Sequence, residues 1–434
     1  MKTWIYGWIV YPTVYSIAMV VGFTNKKVRE TLRLRSWKDF LSLRFNVGQP
    51  IEYWIHVASA GELEYAIPIL EELGRLKKRV LVTYYSISAK RAVDQLPQSF
   101  PWVSLVVPLP HDGLGLMREF VALIHRQGVR SLLILKYELW PGLLWECNAH
   151  GVKVYLVDAL RPSWFHKRLL HKLDGILSGY QSEVNAIQHQ NIKVLGDTRV
   201  ERVLQRVENV GSKLTATMTS GLMNLLAERP VLVGGSMWPP DTKLLTESIQ
   251  KIGDKKKLPH IVWVPHELDE AKAKKAVLAF TELGYAVHRV DDAPTIEVDV
   301  ALSGKPLAVI VMKKGILVEL YRLGDAAYVG GALGAGVHSV WEPALAGLHV
   351  ACGPRTDRSP EAEVLSMGKI LTHVTTSNEM ATWISEKLAQ KRQSQDANQL
   401  QALQQIVNPH RGAARRIVEF CEQNALRNDQ KGRA

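Results

Sequence analysis

Short apolar runs recur along the chain and alternate with longer amphipathic stretches. Ile51–Ser59, Arg79–Ser86, Val103–Leu109, Ser131–Tyr137, Val152–Val157, Gly175–Leu177 and Ile192–Leu195 read as strands, with helical segments such as Gly61–Leu76 between most of them. Nearly continuous apolar strands separated by helices are the pattern of a parallel sheet covered on both faces. Residues 207–219 are polar and read as a linker, after which the pattern restarts. Pro230–Val233, His260–Val264, Tyr285–Val290, Leu307–Val311, Ala326–Val329 and Val350–Cys352 follow as strands. A polar stretch, Gln390–Asn398, then precedes a terminal helix over Arg411–Glu422. At 434 residues the chain exceeds one ordinary core. The pattern therefore predicts an α/β protein of two Rossmann-like domains facing across a cleft, residues 36–210 and 211–434. Ligands of open parallel sheets sit beyond the carboxyl ends of the strands, so chemistry is to be sought just after each apolar run.

The start of the chain departs from this pattern. Thr3–Phe23 carries no charged residue and is rich in Trp, Tyr, Ile and Val, followed by Lys26, Lys27, Arg29, Arg33, Arg35 and Lys38. About 20 apolar residues span a bilayer, and basic residues after the span keep the remainder in the cytoplasm. Residues 1–35 are therefore expected to form a membrane anchor with a basic flank. A cleaved signal peptide would carry its charges before the apolar run and a small-residue cleavage site after it, and neither is present. Gly7 and Pro12 weaken a straight spanning helix, so a helix lying in the interface is the alternative.

Composition adds two constraints. The net charge of +12 implies an anionic partner, and an anionic membrane surface fits the N-terminus better than nucleic acid, for which no recognition motif is present. The three cysteines, Cys147, Cys352 and Cys421, are far apart, which suggests a reducing compartment and no metal cluster. Histidines lack the spacing of a zinc site, so no metal and no cofactor are expected.

Five strand ends carry candidate chemistry. Ser59-Ala-Gly-Glu62 reads as a capping box, or as a cleft carboxylate able to accept a proton. Glu138-Leu-Trp-Pro141 places a second acid beside a helix start, and two glutamates after two strands of one sheet point into the same crevice. Gly234–Asp241 and Val264-Pro-His-Glu267 close two strands of the second domain, as plain loops or as cleft lips. Tyr328–Gly347 breaks from a strand into four glycines and resumes as a helix, either a structural turn or a cradle for a phosphate or carboxylate. His338, Ser339 and Glu342 lie where the rest of a nucleotide would need partners. Neither a Walker sequence nor a Gly-x-Gly-x-x-Gly in the first strand-helix turn occurs, which argues against P-loop kinases and ordinary dehydrogenases.

Taken in order, His56-Val-Ala-Ser-Ala-Gly-Glu62, Tyr137-Glu-Leu-Trp-Pro141, Val194-Leu-Gly-Asp-Thr-Arg199, Val233-Gly-Gly-Ser236, Val264-Pro265, Tyr328-Val-Gly-Gly331, His338-Ser-Val-Trp-Glu-Pro343 and Cys352-Gly-Pro354 resemble the 3-deoxy-D-manno-octulosonic acid (Kdo) transferases of lipopolysaccharide synthesis. The resemblance implies a GT-B glycosyltransferase at the cytoplasmic face of the inner membrane, moving Kdo from CMP-Kdo to a lipid A precursor with inversion. It implies Glu62 as general base, Glu138 as a transition-state partner, and Arg199 at a position generally held by lysine. It assigns Ser59, Gly61 and Arg161 to the acceptor. It assigns Ser236, Pro265, His266, Lys314, Gly315, Ile316, Gly330, Gly331, His338, Ser339, Val340, Trp341 and Glu342 to the donor.

The chain also departs from the family pattern. Lys136 replaces an acid, His266 replaces an arginine, Ile316 replaces the acid of the nucleotide loop, and Ser339 replaces an asparagine. Because most changes fall in the donor half, two alternatives stay open. One is a GT-B transferase using another nucleotide sugar on a lipid acceptor; the other is a non-catalytic membrane-tethered relative.

Overall fold

The computed structural model describes residues 5–35, 50–136, 138–159, 164–209, 226–227, 229–291, 304–357, 359–389 and 397–431. The expected linker falls largely outside them, as does Arg161. Two units emerge, residues 1–202 with 409–434, and residues 203–408.

The first unit is built on seven parallel strands. These are β1 (Tyr53–Val57), β2 (Val80–Tyr84), β3 (Val103–Pro108), β4 (Ser131–Leu135), β5 (Lys153–Val157), β6 (Gly175–Ser178) and β7 (Ile192–Val194). Their order, β3-β2-β1-β4-β5-β6-β7, puts a switch point between β1 and β4. Both faces are covered, so β1, β2 and β4 are buried along their whole length and their side chains divide between two cores. Tyr53, Ile55 and Val57 pack against the helix Ala60–Arg75, while Trp54 faces Phe120 edge-on across the sheet's other side.

The second unit repeats the plan with β8 (Val231–Met237), β9 (His260–Pro265), β10 (Ala286–Val290), β11 (Leu307–Val311), β12 (Ala326–Val329), β13 (His349–Cys352) and β14 (Leu371–His373). All are parallel, in the order β10-β11-β9-β8-β12-β13-β14. The boundary differs from the expected one at the end of the chain. The helix Ala413–Lys431 packs on the first unit, where Ile417, Val418 and Cys421 enter its core and Tyr53 Oη donates to Glu422 at 2.5 Å. Buried His410 accepts the Asp197 N–H at 3.0 Å, fixing the return.

No helix among the described residues is long and apolar enough to cross a membrane, so the spanning anchor is not supported. A π-helical turn, Tyr6–Val10, runs into the α-helix Tyr11–Thr24 and stops at extended Asn25. A second helix, Lys26–Leu34, follows it. One face of the first helix is held by the first unit. Tyr6 Oη donates to buried Asp112 at 2.6 Å, and Tyr15 meets the His111 ring edge-on at 4.7 Å. The other face leaves Ile9, Val14, Ile17, Val20 and Phe23 exposed.

Candidate active site

Glu62 owes its position to local chemistry. After β1 the chain turns at extended Ser59, whose hydroxyl accepts the Glu62 N–H at 3.3 Å and caps the helix Ala60–Arg75. The Glu62 carboxylate reaches back past the N-cap to accept the Ala58 N–H at 2.6 Å, so the Ser59 half of the expected capping box forms and the reciprocal bond falls one residue earlier. The same glutamate is electrostatically perturbed. Burial pushes its carboxyl up to about 7; the Ala58 N–H and Lys136 oppose the rise, and Glu138 adds to it. Capping and proton acceptance are thus compatible in one residue.

Glu138 lies beyond β4. Its carboxylate accepts Trp140 Nε1–H at 2.7 Å, and burial raises its carboxyl while that bond and Arg35 pull it down. Trp140 stacks on Tyr85. Arg35 is buried here: it donates to the carbonyls of Leu109 (2.8 Å) and Pro110 (2.7 Å), and its guanidinium lies 4.3 Å from the Tyr85 ring centre. Counted by sequence as one of a basic run, Arg35 is instead a cation facing Glu138. Hydropathy offers no signal for that difference.

Arg199 opens the helix Thr198–Asn209 and donates to Tyr65 Oη at 3.3 Å, with its guanidinium 5.5 Å from the Tyr65 ring. Lys136 Nζ stands 4.1 Å from the same ring. Lys136 has φ +66° and Asp158, just after β5, has φ +50°. Such left-handed backbone is uncommon for non-glycine residues and clusters at functional sites. Asp158 is buried, accepts from Thr198, and is held well above the usual carboxylate range by burial and by Asp197. The first unit therefore gathers Glu62, Glu138, Lys136 and Arg199 around Tyr65 and the strand ends. Ser59 and Gly61 lie at the start of the Glu62 helix, Gly61 exposed.

In the second unit the glycine turn after β12 is organised by buried Asp241, which accepts from Trp238 N–H (3.0 Å), Tyr328 Oη (3.0 Å) and Gly331 N–H (2.9 Å). Gly331 has φ +98°, and a Cβ there would strike the Gly336 carbonyl. A bulge in β8 gives Ser236 φ +52°, and the Gly330 N–H bonds the Gly235 carbonyl beside it. The turn lines a cavity of about 650 Å³ with His338, Arg355, Thr356 and Ser359. Only a five-residue helix, Trp341–Leu345, follows, too short for the dipole expected from sequence. The cation at this cavity is Arg355, which donates to the Gly334 carbonyl at 2.9 Å.

Trp238, His266 and His338 form a ring stack, with centroids 4.6 Å and 4.3 Å apart along it. Trp238 Nε1–H donates to His338 Nε2 at 3.0 Å. The His266 imidazole is held below its ordinary range chiefly by burial, with Lys272 and Lys314 contributing, so Lys314 belongs to the same neighbourhood. Gly315 is exposed at φ +83°. Pro265 ends β9, and Ile316 packs on the second unit's core. Val340 and Trp341 are fully buried and offer no side chain to a ligand. Glu342 lies 4.0 Å from Arg206, and the Ser339 hydroxyl is buried without a partner among the described residues. Among the described residues no three His, Cys, Asp or Glu side chains gather as a metal site.

Two parallel-sheet α/β units of this kind resemble the fold of GT-B glycosyltransferases. A glycosyltransferase from Rickettsia africae shares the fold at TM-score 0.59 and 12% identity, over 87% of this chain and 99% of its own. A family model described as 3-deoxy-D-manno-octulosonic-acid transferase (kdotransferase) matches residues 26–202. A 3-deoxy-D-manno-octulosonic acid transferase of Aquifex aeolicus is 27% identical over 345 residues, 78% of this chain and 87% of its own. One from Bordetella pertussis is 24% identical over 399 residues, 85% and 86% of the two chains. Over most of its length the chain is similar to Kdo transferases, and these relatives support a glycosyltransferase.

Proposed function

We propose that the protein transfers Kdo from CMP-Kdo to a hydroxyl of a lipid A precursor, with inversion at the anomeric carbon. The observation that carries the reading is Glu62, a carboxyl raised to about 7 at a strand end beside Glu138 and Lys136. A base poised near neutral pH is matched to a sugar hydroxyl, since it is available as carboxylate yet basic enough to accept a proton. Glu62 takes that proton, and the freed oxygen pair bonds the anomeric carbon. The bond from that carbon to the phosphate oxygen breaks on the opposite face, its electrons leaving with CMP. Lys136 and Arg199 supply positive charge for the anions of donor and leaving group, and Glu138, held by Trp140, orients the acceptor. The second unit's cavity, lined by His338 and Arg355, takes the nucleotide. The scheme draws on side chains alone.

The reaction is placed at the cytoplasmic face of the inner membrane, with the helix Tyr11–Thr24 lying in the interface. Its exposed apolar residues and the basic helix behind it support that placement. Incubation with CMP-Kdo and a lipid A precursor, read by product mass, tests the activity. No mass gain would sink the reading, and a gain that survives Glu62→Ala would remove Glu62 as base.

One observation favours a second donor. Ile316 turns into the core where the family carries an acid, leaving the loop with Lys314 but no carboxylate. Thermal shifts with CMP, UDP and GDP decide it, with preferential stabilisation by CMP counting against another nucleotide.

A further inference from the structure

Within the first unit a cavity of about 350 Å³ lies between the first helix and the loop after β4. That volume is within the range of small-molecule sites, about 300–1,000 Å³. Tyr6, Val10, Tyr11 and Val14 line it from the first helix and Glu138, Leu139, Trp140 and Pro141 from the loop, with His166 also in the lining. We infer that this cavity receives one acyl chain of the lipid acceptor. The inference rests on the proposed acylated acceptor and adds a binding site for it.

Three observations favour this occupant. First, Val10, Val14, Ile17 and Val21 follow one another at helical spacing, and Val14, Ile17 and Val21 are 54%, 58% and 42% exposed. An apolar stripe thus runs from the solvent-facing surface into the cavity, and a chain following it leaves one apolar surroundings for another. Second, the charges are complementary to a phosphorylated amphiphile. Further along the same helix a hollow of about 340 Å³ is lined by Tyr15, Met19, Phe23 and Leu32 together with Arg29 and Arg33. A phosphate beside the two arginines and a chain in the Val10–Pro141 cavity describe one acidic, acylated molecule. Third, Glu138 touches both the cavity and the electrostatics of Glu62. A chain seated here leaves its sugar headgroup next to the proposed base. Bulk phospholipid gains nothing from that proximity, so the acceptor is the occupant.

The test uses the full chain and a lipid A precursor carrying a diazirine in one acyl chain, presented in phosphatidylcholine vesicles. After irradiation, digestion and mass spectrometry, label is expected on the peptide holding Leu139–Pro141. Val14→Trp, which fills the mouth, should abolish that label while flotation with vesicles and the melting temperature persist. Label confined to Ile17, Val20 and Phe23 in the unaltered protein would overturn the inference. So would equal labelling of Leu139–Pro141 by diazirine phosphatidylcholine alone, which would make the cavity a general lipid site. Labelling without Kdo transfer would leave the cavity standing and remove the proposed donor reaction. Transfer without labelling at Leu139–Pro141 would do the reverse.

Discussion

Replacing Glu62 by glutamine should make the protein more stable and less active, and only in one range of pH. The Glu62 carboxyl is raised from an ordinary 4.5 to about 7, mainly by burial. Below pH 4.5 the group is protonated in the folded and unfolded chain alike, and the charge costs nothing. Between 4.5 and 7 the unfolded chain ionises and the folded one does not, so stability falls as pH rises. Above 7 the full cost is present. At ~1.4 kcal/mol per tenfold, the interval corresponds to an upper bound of about 3 kcal/mol. Glutamine retains an acceptor for the Ala58 N–H but a weaker one, losing about 1–1.5 kcal/mol of charge-assisted bonding. The expected net gain for Glu62→Gln is therefore about 1–2 kcal/mol at pH 8 and near zero at pH 4. In a unit of this size that gain raises the melting temperature by roughly 2–8 °C. Chemical denaturation of both proteins at the two pH values, followed by a probe in the first unit, reads the difference. A gap that is the same at both pH values, or a glutamine variant destabilised at pH 8, would refute the burial argument. Turnover should fall about 10²–10⁴-fold, the range for a lost general base.

Three further outcomes follow from the same chemistry. Transfer activity should rise with pH through about 7 as Glu62 ionises, and Lys136→Met should move that rise to higher pH, because Lys136 holds the carboxyl down. An unmoved pH–rate profile would show that Lys136 does not act on the base. Arg355→Ala should weaken nucleotide binding by about 1.5–3 kcal/mol, roughly ten- to a hundredfold in titration calorimetry, if the guanidinium bonds a phosphate. Gly235→Ala would place a Cβ inside the Tyr321 hydroxyl, and the overpacking should cost about 1–3 kcal/mol, seen as an earlier transition of the second unit.

The sheets were nearly fully legible because strands covered on both faces are continuous apolar runs. β11 and β12 match their expected spans to the residue. β14 escaped notice because Thr372 and His373 are exposed at the sheet edge and carry no apolar signature. The return of the last helix to the first unit depends on His410, Ala414 and Glu422 meeting partners far away in sequence, which periodicity cannot register. At the site, residue types after strand ends were readable, but their partners were not. The Ser59–Glu62 cap was a local pattern; the meeting of Lys136 and Arg199 at Tyr65, and the Trp238–His266–His338 stack, are products of tertiary packing. Whether the first helix spans a membrane was not legible in the run either, and no described helix is long and apolar enough to do so. A run of Tyr, Trp, Ile and Val scores as apolar whether or not its hydroxyls are docked, and here Tyr6 is tied to Asp112.

That tie makes the first helix something other than a removable leader. Asp112 is fully buried and also accepts the N–H groups of Gly142 (2.9 Å) and Leu143 (2.7 Å), which open the helix directly after Glu138. Its carboxyl is already raised to about 6 by burial, with the Tyr6 bond among the forces restraining it. Deleting the first residues to gain solubility would therefore strip a proton donor from a buried acid. It would also push that acid toward its neutral form and loosen the anchorage of the segment bearing Glu138. A shortened protein that is well behaved but inactive would then report a loosened Glu138 segment, not only the loss of the proposed attachment to lipid.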